Sequence, residues 1–203
     1  MIRTSALLLA VSALSLAACQ PPTGSSDANQ TPDVGASETM PASPDALTAE
    51  GWGPLRIGMT LDEVTAAAGP DSDPEAIGGP EPEYCDQFRP TQAPEGLLVM
   101  IEQGVLTSIS LIPPSTLRTD RGFGIGSTAA EIKAAYGDAA RVEPHHYLGL
   151  PAEYITVWNG GVPTEPYVED ASARGITYET GTDGAVTVVH AGGPSIQYVE
   201  GCA

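Results

Sequence analysis

The sequence is poor in basic residues. Its 203 residues contain 8 Lys and Arg against 26 Asp and Glu, a formal net charge of -18, and Lys133 is the only lysine. Nucleic acids and anionic membrane surfaces repel such a polyanion before any contact forms. We therefore exclude nucleic acid as a partner and expect either a protein partner with a basic surface or a cation.

A hydrophobic run long enough to span a membrane is also missing at the N terminus. The apolar stretch at residues 6–16 follows Arg3 and is interrupted by Ser12 and Ser15. A transmembrane helix needs about 20 apolar residues to cross roughly 30 Å of hydrocarbon. A shorter stretch behind a basic residue is typical of an export signal. Residues 1–18 are therefore predicted to be a signal peptide that is removed.

The end of this segment carries a processing motif. The residues Leu16-Ala17-Ala18-Cys19 resemble the bacterial lipobox. The resemblance implies that Cys19 becomes the first mature residue and is lipidated, with palmitate among its acyl chains, and two or three such chains anchor a protein stably. Gln20, in place of the Asp that marks inner-membrane retention, favours an outer-membrane protein that faces the periplasm. The alternative is an ordinary signal peptide with an incidental cysteine.

The next segment lacks large apolar residues. Residues 19–48 are mostly Pro, Ser, Thr, Ala, Asp and Gly, and such a composition cannot bury enough surface to offset chain ordering. We expect a disordered tether of about 30 Å that connects the lipid anchor to the folded part. The folded part is assigned to residues 49–118 and 119–203.

Cysteine is scarce. The chain has three cysteines, so Cys85 and Cys202 remain once Cys19 is lipidated. In an oxidising periplasm this pair is most simply a disulfide. Two free thiols are the alternative, while the wide spacing excludes a CxxC redox motif and makes a weak zinc signature.

A pattern that predicts a short helix occurs twice. Residues 57–69 and 125–137 match at a constant offset of 68 residues. Each copy has a threonine three residues before a glutamate, the capping box in which side chains and backbone amides bond reciprocally. The predicted cap residues are Thr60, Glu63, Thr128 and Glu131.

Each predicted helix has a glycine at its end and an apolar stripe along its length. Gly69 and Gly137 suit a helix C terminus, where a positive φ is comfortable for glycine. Apolar residues three or four positions apart lie on one helix face. The predicted buried stripes are Leu61, Val64 and Ala68 in the first copy, and Ala129, Ile132 and Tyr136 in the second.

Antiparallel strands are predicted after each helix. Glu102-Gln103-Gly104 and Gly181-Thr182-Asp183-Gly184 are turn signals between apolar runs. We expect a loop between residues 159 and 173 and strands at residues 84–89, 97–101, 105–112, 154–158, 175–179, 185–190 and 196–199. The predicted fold class is α+β, with two tandem repeats that each pack a short helix on an antiparallel sheet.

The helix pattern resembles that of a known family. A helix entered through Ile-Gly-Met-Thr-x-x-Glu-Val and closed by glycine, as at residues 57–69, is similar to that of the SmpA/OmlA outer-membrane assembly lipoproteins. Two such units on one chain are similar to the tandem-repeat β-lactamase inhibitory proteins. The resemblance implies a binding or scaffolding protein of the bacterial envelope, and it transfers no binding residue because the motif serves capping and packing.

Two groups of residues could bind a metal ion. Acidic residues cluster at 71–86 (Asp71, Asp73, Glu75, Glu81, Glu83 and Asp86) and begin like an EF-hand loop. The EF-hand interpretation fails because Ala76 and Pro82 occupy the positions that require glycine and glutamate. The second group is His145 and His146, but adjacent residues of an extended segment point to opposite faces. A solvated acidic loop and separate histidines are the preferred interpretations.

No catalytic, cofactor-binding or metal-binding residue is assigned. The sequence has no G-x-S-x-G nucleophile motif, and Ser195 cannot be joined to the histidines from sequence. The prediction is a non-catalytic, lipid-anchored envelope protein that binds or scaffolds a protein partner and needs no cofactor. The alternative is a metal-dependent binder or an enzyme that uses the His145/His146 region or the acidic loop 71–86.

Overall fold

The computed structural model describes residues 45–76 and 78–202. The predicted signal peptide, Cys19 and the tether up to residue 44 lie outside the described residues. The elements are the strands β1 Gly51–Trp52 and β2 Leu55–Arg56, the helix α1 Leu61–Ala68, the strands β3 Cys85–Phe88, β4 Leu97–Glu102 and β5 Val105–Leu111, the helix α2 Ala129–Tyr136, a 3-10 turn at Gly137–Ala139, the strands β6 Ala140–Pro144, β7 Glu153–Trp158, β8 Gly175–Thr180 and β9 Val186–Gly192, and a 3-10 helix at Pro194–Gln197.

The architecture is mixed α+β and consists mostly of strands, which confirms the predicted class. Seven strands form one antiparallel sheet in the order β3-β4-β5-β9-β8-β7-β6, and β1 and β2 form a separate two-stranded ribbon. The predicted strand positions are confirmed for β3, β4, β5, β7, β8 and β9, whereas β6 was not predicted. The two hairpins β4–β5 and β8–β9 meet in the middle of the sheet through the pairing of β5 with β9.

Each of the two central hairpins has a turn and a β-bulge, and the bulges occur at corresponding positions of the two hairpins. Gln103 and Gly104 connect β4 to β5 and both have positive φ, 50° and 80°, which is the backbone that matches the twist of a tight hairpin. The register of β4–β5 shifts between Met100 and Ile101, and the register of β8–β9 shifts between Glu179 and Thr180. A bulge bends the strand and increases the local twist, and both hairpins carry this feature.

Both helices begin with the predicted capping box. The Thr60 hydroxyl accepts from the Glu63 amide at 3.3 Å, and the Glu63 carboxylate accepts from the Thr60 amide at 2.8 Å. Thr128 and Glu131 repeat this pair at 3.2 and 2.9 Å. These bonds lower the pKa of the Glu63 and Glu131 carboxyls. At the N terminus of each helix, two backbone amides that have no acceptor within the helix thereby gain a hydrogen-bond acceptor.

Replacing either capping threonine by alanine should destabilise the protein. We expect Thr60→Ala and Thr128→Ala each to lower the free energy of unfolding by about 1 kcal/mol, because the backbone amide of Glu63 or Glu131 loses the hydroxyl that accepts its hydrogen bond. Urea denaturation measures the change, and Thr→Ser at each position is the matched control that keeps the acceptor. A loss in the alanine variant no larger than in the serine variant would contradict the capping role.

The core lies between the helices and one face of the large sheet. Val64 and Ile132 from the helices are fully buried, as are Ile109, Tyr178 and Val189 from the strands. Inward-facing residues alternate along each strand with residues of the opposite face. The core is therefore continuous across β5 and β9.

Two residues of the predicted stripes are not fully buried, and one of them, Tyr136 of α2, still packs against the core. Leu61 is 41% exposed, whereas Val64 and Ala68 are buried as predicted. Helical side chains tilt toward the helix N terminus, and Leu61 is the first residue of α1. Its side chain therefore extends past the helix end instead of onto the sheet.

The predicted last strand, at residues 196–199, is wrong. Residues Pro194–Gln197 form a 3-10 helix instead, which contacts β5, β8 and β9. Pro194 at its start cannot donate a backbone hydrogen bond to a strand. The Gln197 side chain also donates to the carbonyls of Pro194 and Val168, both at 2.9 Å. These local bonds replace the ladder that a strand would need.

The folded part begins earlier than residue 49. Leu47 is fully buried, its amide donates to the Arg118 carbonyl at 2.9 Å, and it forms a bridge with Thr119. Residues 45–48 therefore belong to the folded part and not to the predicted tether. A single leucine in a polar segment carries no periodicity, so the sequence pattern did not reveal this contact.

Candidate functional site

A groove lies on the sheet face opposite the two helices. Its volume is about 280 Å³, and we call it the tyrosine groove. Strands β7, β8 and β9 supply the floor, while the 159–173 loop and the C-terminal segment supply the walls. It is lined by Glu143, Pro144, His146, Tyr154, Thr156, Pro166, Tyr167, Thr177, His190, Ile196, Gln197, Tyr198 and Val199.

The floor of the tyrosine groove is polar because of strand alternation. In β7, Ile155 faces the core, so Thr156 points to the opposite face. Thr156 pairs with Thr177 of β8, and their hydroxyls lie 2.9 Å apart in a hydrogen bond. His190 follows on β9, opposite Thr177. The pattern of the strands thus determines which side chains a ligand would meet.

The walls of the groove carry exposed apolar side chains. Tyr167 is 45% exposed, Tyr198 38% and Val199 42%. Burial and, to a smaller extent, the nearby Glu102 carboxylate together raise the pKa of Tyr198 to about 12. The phenol is therefore neutral across the physiological range and donates a hydrogen bond. Aromatic side chains that combine an apolar ring with a polar tip are typical of binding surfaces.

A hydrogen-bonded chain of side chains runs under the groove. The Ser110 hydroxyl lies 2.8 Å from Nδ1 of His190, and Nε2 of His190 lies 3.7 Å from one Glu179 oxygen. The other Glu179 oxygen lies 3.0 Å from Nε2 of His145. The Nδ1 atom of His145 accepts from the amides of Tyr147 and Leu148, so its Nε2 carries the proton that is donated to Glu179.

This chain lowers the pKa of the Glu179 carboxyl. The polar contact with His190 is the largest influence, the hydrogen bond from His145 adds to it, and burial opposes both. A carboxylate that accepts a hydrogen bond from one imidazole and faces a second imidazole at 3.7 Å is held ionised in the folded state. Glu179 therefore joins the buried His145 to the groove residue His190.

A serine, a histidine and a glutamate in a row resemble the arrangement that activates a nucleophile. Ser110 is only 2% exposed and does not line the tyrosine groove. Its hydroxyl therefore has no path to a substrate in this conformation, and the chain orders the floor of the groove. Sequence reasoning missed Ser110 and considered Ser195, whose hydroxyl has no hydrogen-bond partner.

The Glu179 carboxylate should make stability depend on pH. Because its pKa is lowered from 4.5, the ionised group stabilises the fold above that pH, and the contribution is lost as the pH falls through the lowered value. We expect Glu179→Gln to cost about 1 kcal/mol near neutral pH. Urea denaturation from pH 3 to 7 should show this cost shrinking with acidification. Glu143→Gln is the control, and a pH-independent cost would contradict the assignment.

The structure separates His145 from His146. His145 is 7% exposed and its ring stacks on Tyr154 with centroids 4.7 Å apart, whereas His146 lies on the groove wall. In the acidic loop 71–86, burial raises the pKa of the Asp86 carboxyl. Within the described residues, no group of three or more His, Cys, Asp or Glu side chains could hold a metal ion.

A disulfide connects the C-terminal segment, which forms one wall of the tyrosine groove, to the first half of the sheet. The sulfur atoms of Cys85, in the edge strand β3, and Cys202 lie 2.06 Å apart, which is a disulfide, with 5.4 Å between the Cα atoms. This bridge links residues 117 positions apart. It holds the segment that carries Tyr198 over the open face of the sheet.

Comparisons with protein-family models, curated proteins and solved structures each find no match. Among the described residues, no helix has both the length and the apolar character needed to cross a membrane. The function must therefore be inferred from the groove and the sequence.

Proposed function

We propose that this protein is a non-catalytic, lipid-anchored lipoprotein of the bacterial outer membrane that faces the periplasm and binds a protein partner with a basic surface. The observation that carries the proposal is the tyrosine groove, whose exposed rings of Tyr167 and Tyr198 stand beside carboxylates. Tyrosine is enriched in protein interfaces and dominates their energetic centres. The lipobox motif supports the location, and its resemblance to known lipoprotein signals implies the anchor at Cys19.

The charge of the protein supports a basic partner. The formal net charge is -18, and Glu143 lines the tyrosine groove while Glu102 lies beside Tyr198. Opposite charges steer partners together and their attraction is screened by salt. Association should therefore weaken as the ionic strength rises, while the exposed tyrosines supply contact area that salt does not screen.

We further propose that the chain contains two copies of one unit. Three backbone hydrogen bonds between a helix entry and a hairpin occur in both halves, at offsets of 68 and 80 residues. The Gly58 amide donates to the Leu106 carbonyl, and the Gly126 amide donates in the same way to the Val186 carbonyl. The Leu106 amide donates to the Met59 carbonyl as the Val186 amide does to that of Ser127. The Leu61 amide donates to the Gly104 carbonyl as the Ala129 amide does to that of Gly184, and all six bonds are 2.8 or 2.9 Å. Where the two halves meet, Ser110 of β5 pairs with His190 of β9. His190 is the residue that the offset of 80 makes equivalent to Ser110.

The proposed duplication agrees with the resemblance to tandem envelope proteins. Inhibition of a β-lactamase would be a narrower form of the same binding function. We would abandon that narrower form if nitrocefin hydrolysis were unchanged with the protein in large excess over the enzyme. The wider proposal of a protein-binding lipoprotein does not depend on this result.

Crosslinking in the native envelope tests the partner. The wild-type chain should recover one specific protein at low salt, and Tyr198→Ala should reduce the recovery because an exposed ring of the groove is lost. Tyr147→Ala is the matched control, since Tyr147 is 60% exposed and does not line the groove. Equal recovery by the two variants, or none by the wild type, would count against the proposal.

Replacing the lipidated cysteine should release the protein. Cys19→Ser removes the thiol that the lipobox motif marks for acylation, and without acyl chains the described domain lacks a helix that could span a membrane. We expect the variant in the soluble periplasmic fraction and the wild type in the outer-membrane fraction, as measured by density-gradient separation and mass spectrometry. Membrane retention of the variant would exclude the proposed anchor.

A further inference from the structure

A second cavity lies on the other side of Tyr198 from the tyrosine groove. Its volume is about 260 Å³, and we call it the Ser195 cavity. Its apolar wall includes Ile57, Val105 and Pro194, and Glu102 and Glu169 are its acidic residues. The cavity thus combines a narrow apolar wall with carboxylates, next to the surface proposed to bind a partner.

Unpartnered polar atoms are concentrated around this cavity. Across residues 45–76 and 78–202, three buried side-chain polar atoms have no hydrogen-bond partner: Oγ1 of Thr107, Nε of Arg174 and Oγ of Ser195. All three residues line the Ser195 cavity. A buried polar group without a partner costs about 1–3 kcal/mol, and native proteins contain few of them. Nε of Arg174 has an ionic partner in Glu50, so the hydroxyls of Thr107 and Ser195 are the polar groups that lack any partner. Because both residues line the same cavity, these hydroxyls indicate that its polar lining serves a ligand.

The charges around the cavity favour a cation. The Arg174 guanidinium is already engaged, because Nη1 donates to the carbonyls of Ala171 and Ala173 at 2.9 and 2.7 Å. Its Nε also faces the Glu50 carboxylate at 3.6 Å. Glu102 and Glu169 have no cation paired with them among the described residues. The local excess of negative charge therefore disfavours an anionic ligand.

We propose that the Ser195 cavity binds a lysine or arginine side chain of the protein partner. The aliphatic stem packs against Ile57, Val105 and Pro194, as such stems do along apolar surfaces. The cationic head donates to the carboxylates of Glu102 and Glu169, and the Ser195 hydroxyl rotates to accept from it. A lysine head has three donors and no acceptor, which matches this set. The inference rests on the proposed binding function and identifies a specificity pocket beside the groove.

Short peptides test the cavity without the partner. The full-length Cys19→Ser chain is titrated at low salt with N-acetylated, amidated Gly-Lys-Gly and Gly-Arg-Gly, and amide chemical shifts are followed by NMR. We expect shifts centred on residues 102, 107, 169 and 193–195. The norleucine peptide, which keeps the stem and lacks the charge, should bind about tenfold more weakly. Added salt should weaken the binding of the lysine peptide to the cavity.

Variants separate binding from folding. Ser195→Ala removes a hydroxyl that has no partner in the fold, so its thermal midpoint should be unchanged or higher while affinity for the lysine peptide falls several-fold. Glu169→Gln should also weaken binding, and Glu143→Gln, in the tyrosine groove, should not. A Ser195→Ala variant that loses stability but keeps affinity would assign the hydroxyl a structural role and overturn the inference.

The outcomes also distinguish this inference from the proposed function. Equal or tighter binding of a Gly-Glu-Gly peptide would make the cavity an anion site at Arg174, and the absence of any shift would make it a solvent-filled space. Either result overturns the inference, yet Tyr198-dependent crosslinking of a partner would still support the function. Lysine-peptide binding without any recovered partner would instead retain the pocket and reject the function.

Discussion

Replacing Cys85 and Cys202 by serine should lower the free energy of unfolding by about 4–5 kcal/mol, because the bridge closes a loop of more than 100 residues in the unfolded chain. The sequence separation of the two cysteines is 117. A loss of this size is a large fraction of the stability of a small domain. It is the largest effect that we expect from any change in the described residues.

Urea denaturation of the oxidised protein, the reduced protein and the double variant measures this effect. The reduced wild type and the double serine variant should agree, because both lack the covalent link. Mass spectrometry after non-reducing digestion should join the peptides that carry the two cysteines. Two alkylatable thiols in periplasmic material, or equal stability of oxidised and reduced protein, would reject a stabilising bridge.

The bridge should also matter to the binding surface. Cys202 follows the segment that carries Tyr198 and Val199, which forms one wall of the tyrosine groove. Without the link, this chain end keeps its packing and its hydrogen bonds, such as those of Gln197, but it loses its covalent connection to β3. Partner recovery should therefore fall in the double serine variant under conditions in which it is still folded.

Truncating the buried isoleucine of α2 should produce the second-largest loss. We expect Ile132→Ala to lower the free energy of unfolding by about 2–5 kcal/mol, since a fully buried aliphatic side chain loses its contacts and leaves a cavity. Ile132 is fully buried against the sheet. The residue stands at the centre of the helix that covers the second half of the core.

Leu61→Ala is the matched control in the other helix. Leu61 is 41% exposed although the spacing of apolar residues predicted it to be buried. Its truncation should cost less than about 1 kcal/mol, because most of the lost surface was already in contact with water. Thermal and urea denaturation compare the two variants. Similar losses in both would place Leu61 in the core and contradict the packing described above.

Much of the fold was readable from the sequence because its signals are local. The capping boxes at Thr60 and Thr128 involve residues three positions apart, and the turn at Gln103-Gly104 needs only its own backbone. Strand alternation likewise follows from neighbouring residues. The pairing of Ser110 with His190, 80 positions later, was not predicted and appears only in the sheet.

The candidate site was not readable in the same way. Glu179, His145 and His190 come from separate segments, and nothing in their spacing indicates that they meet. The strand β6 was missed because Ala140–Pro144 is a short edge strand with alternating charge and a proline. The 3-10 helix Pro194–Gln197 was mistaken for a strand since the apolar pattern of four residues does not distinguish the two.

The sequence by itself determined the helix ends, the hairpins, the cysteine pair and the shortage of basic residues. These depend on interactions between residues close along the chain, or on composition, which no fold changes. Only the tertiary structure decided that residues 194–202 cross the open face and that Tyr154, Tyr167 and Tyr198 share a groove. It also decided that Thr107, Arg174 and Ser195 line one cavity. Such contacts join residues far apart in sequence, because they arise when strands pair and loops pack across the finished sheet.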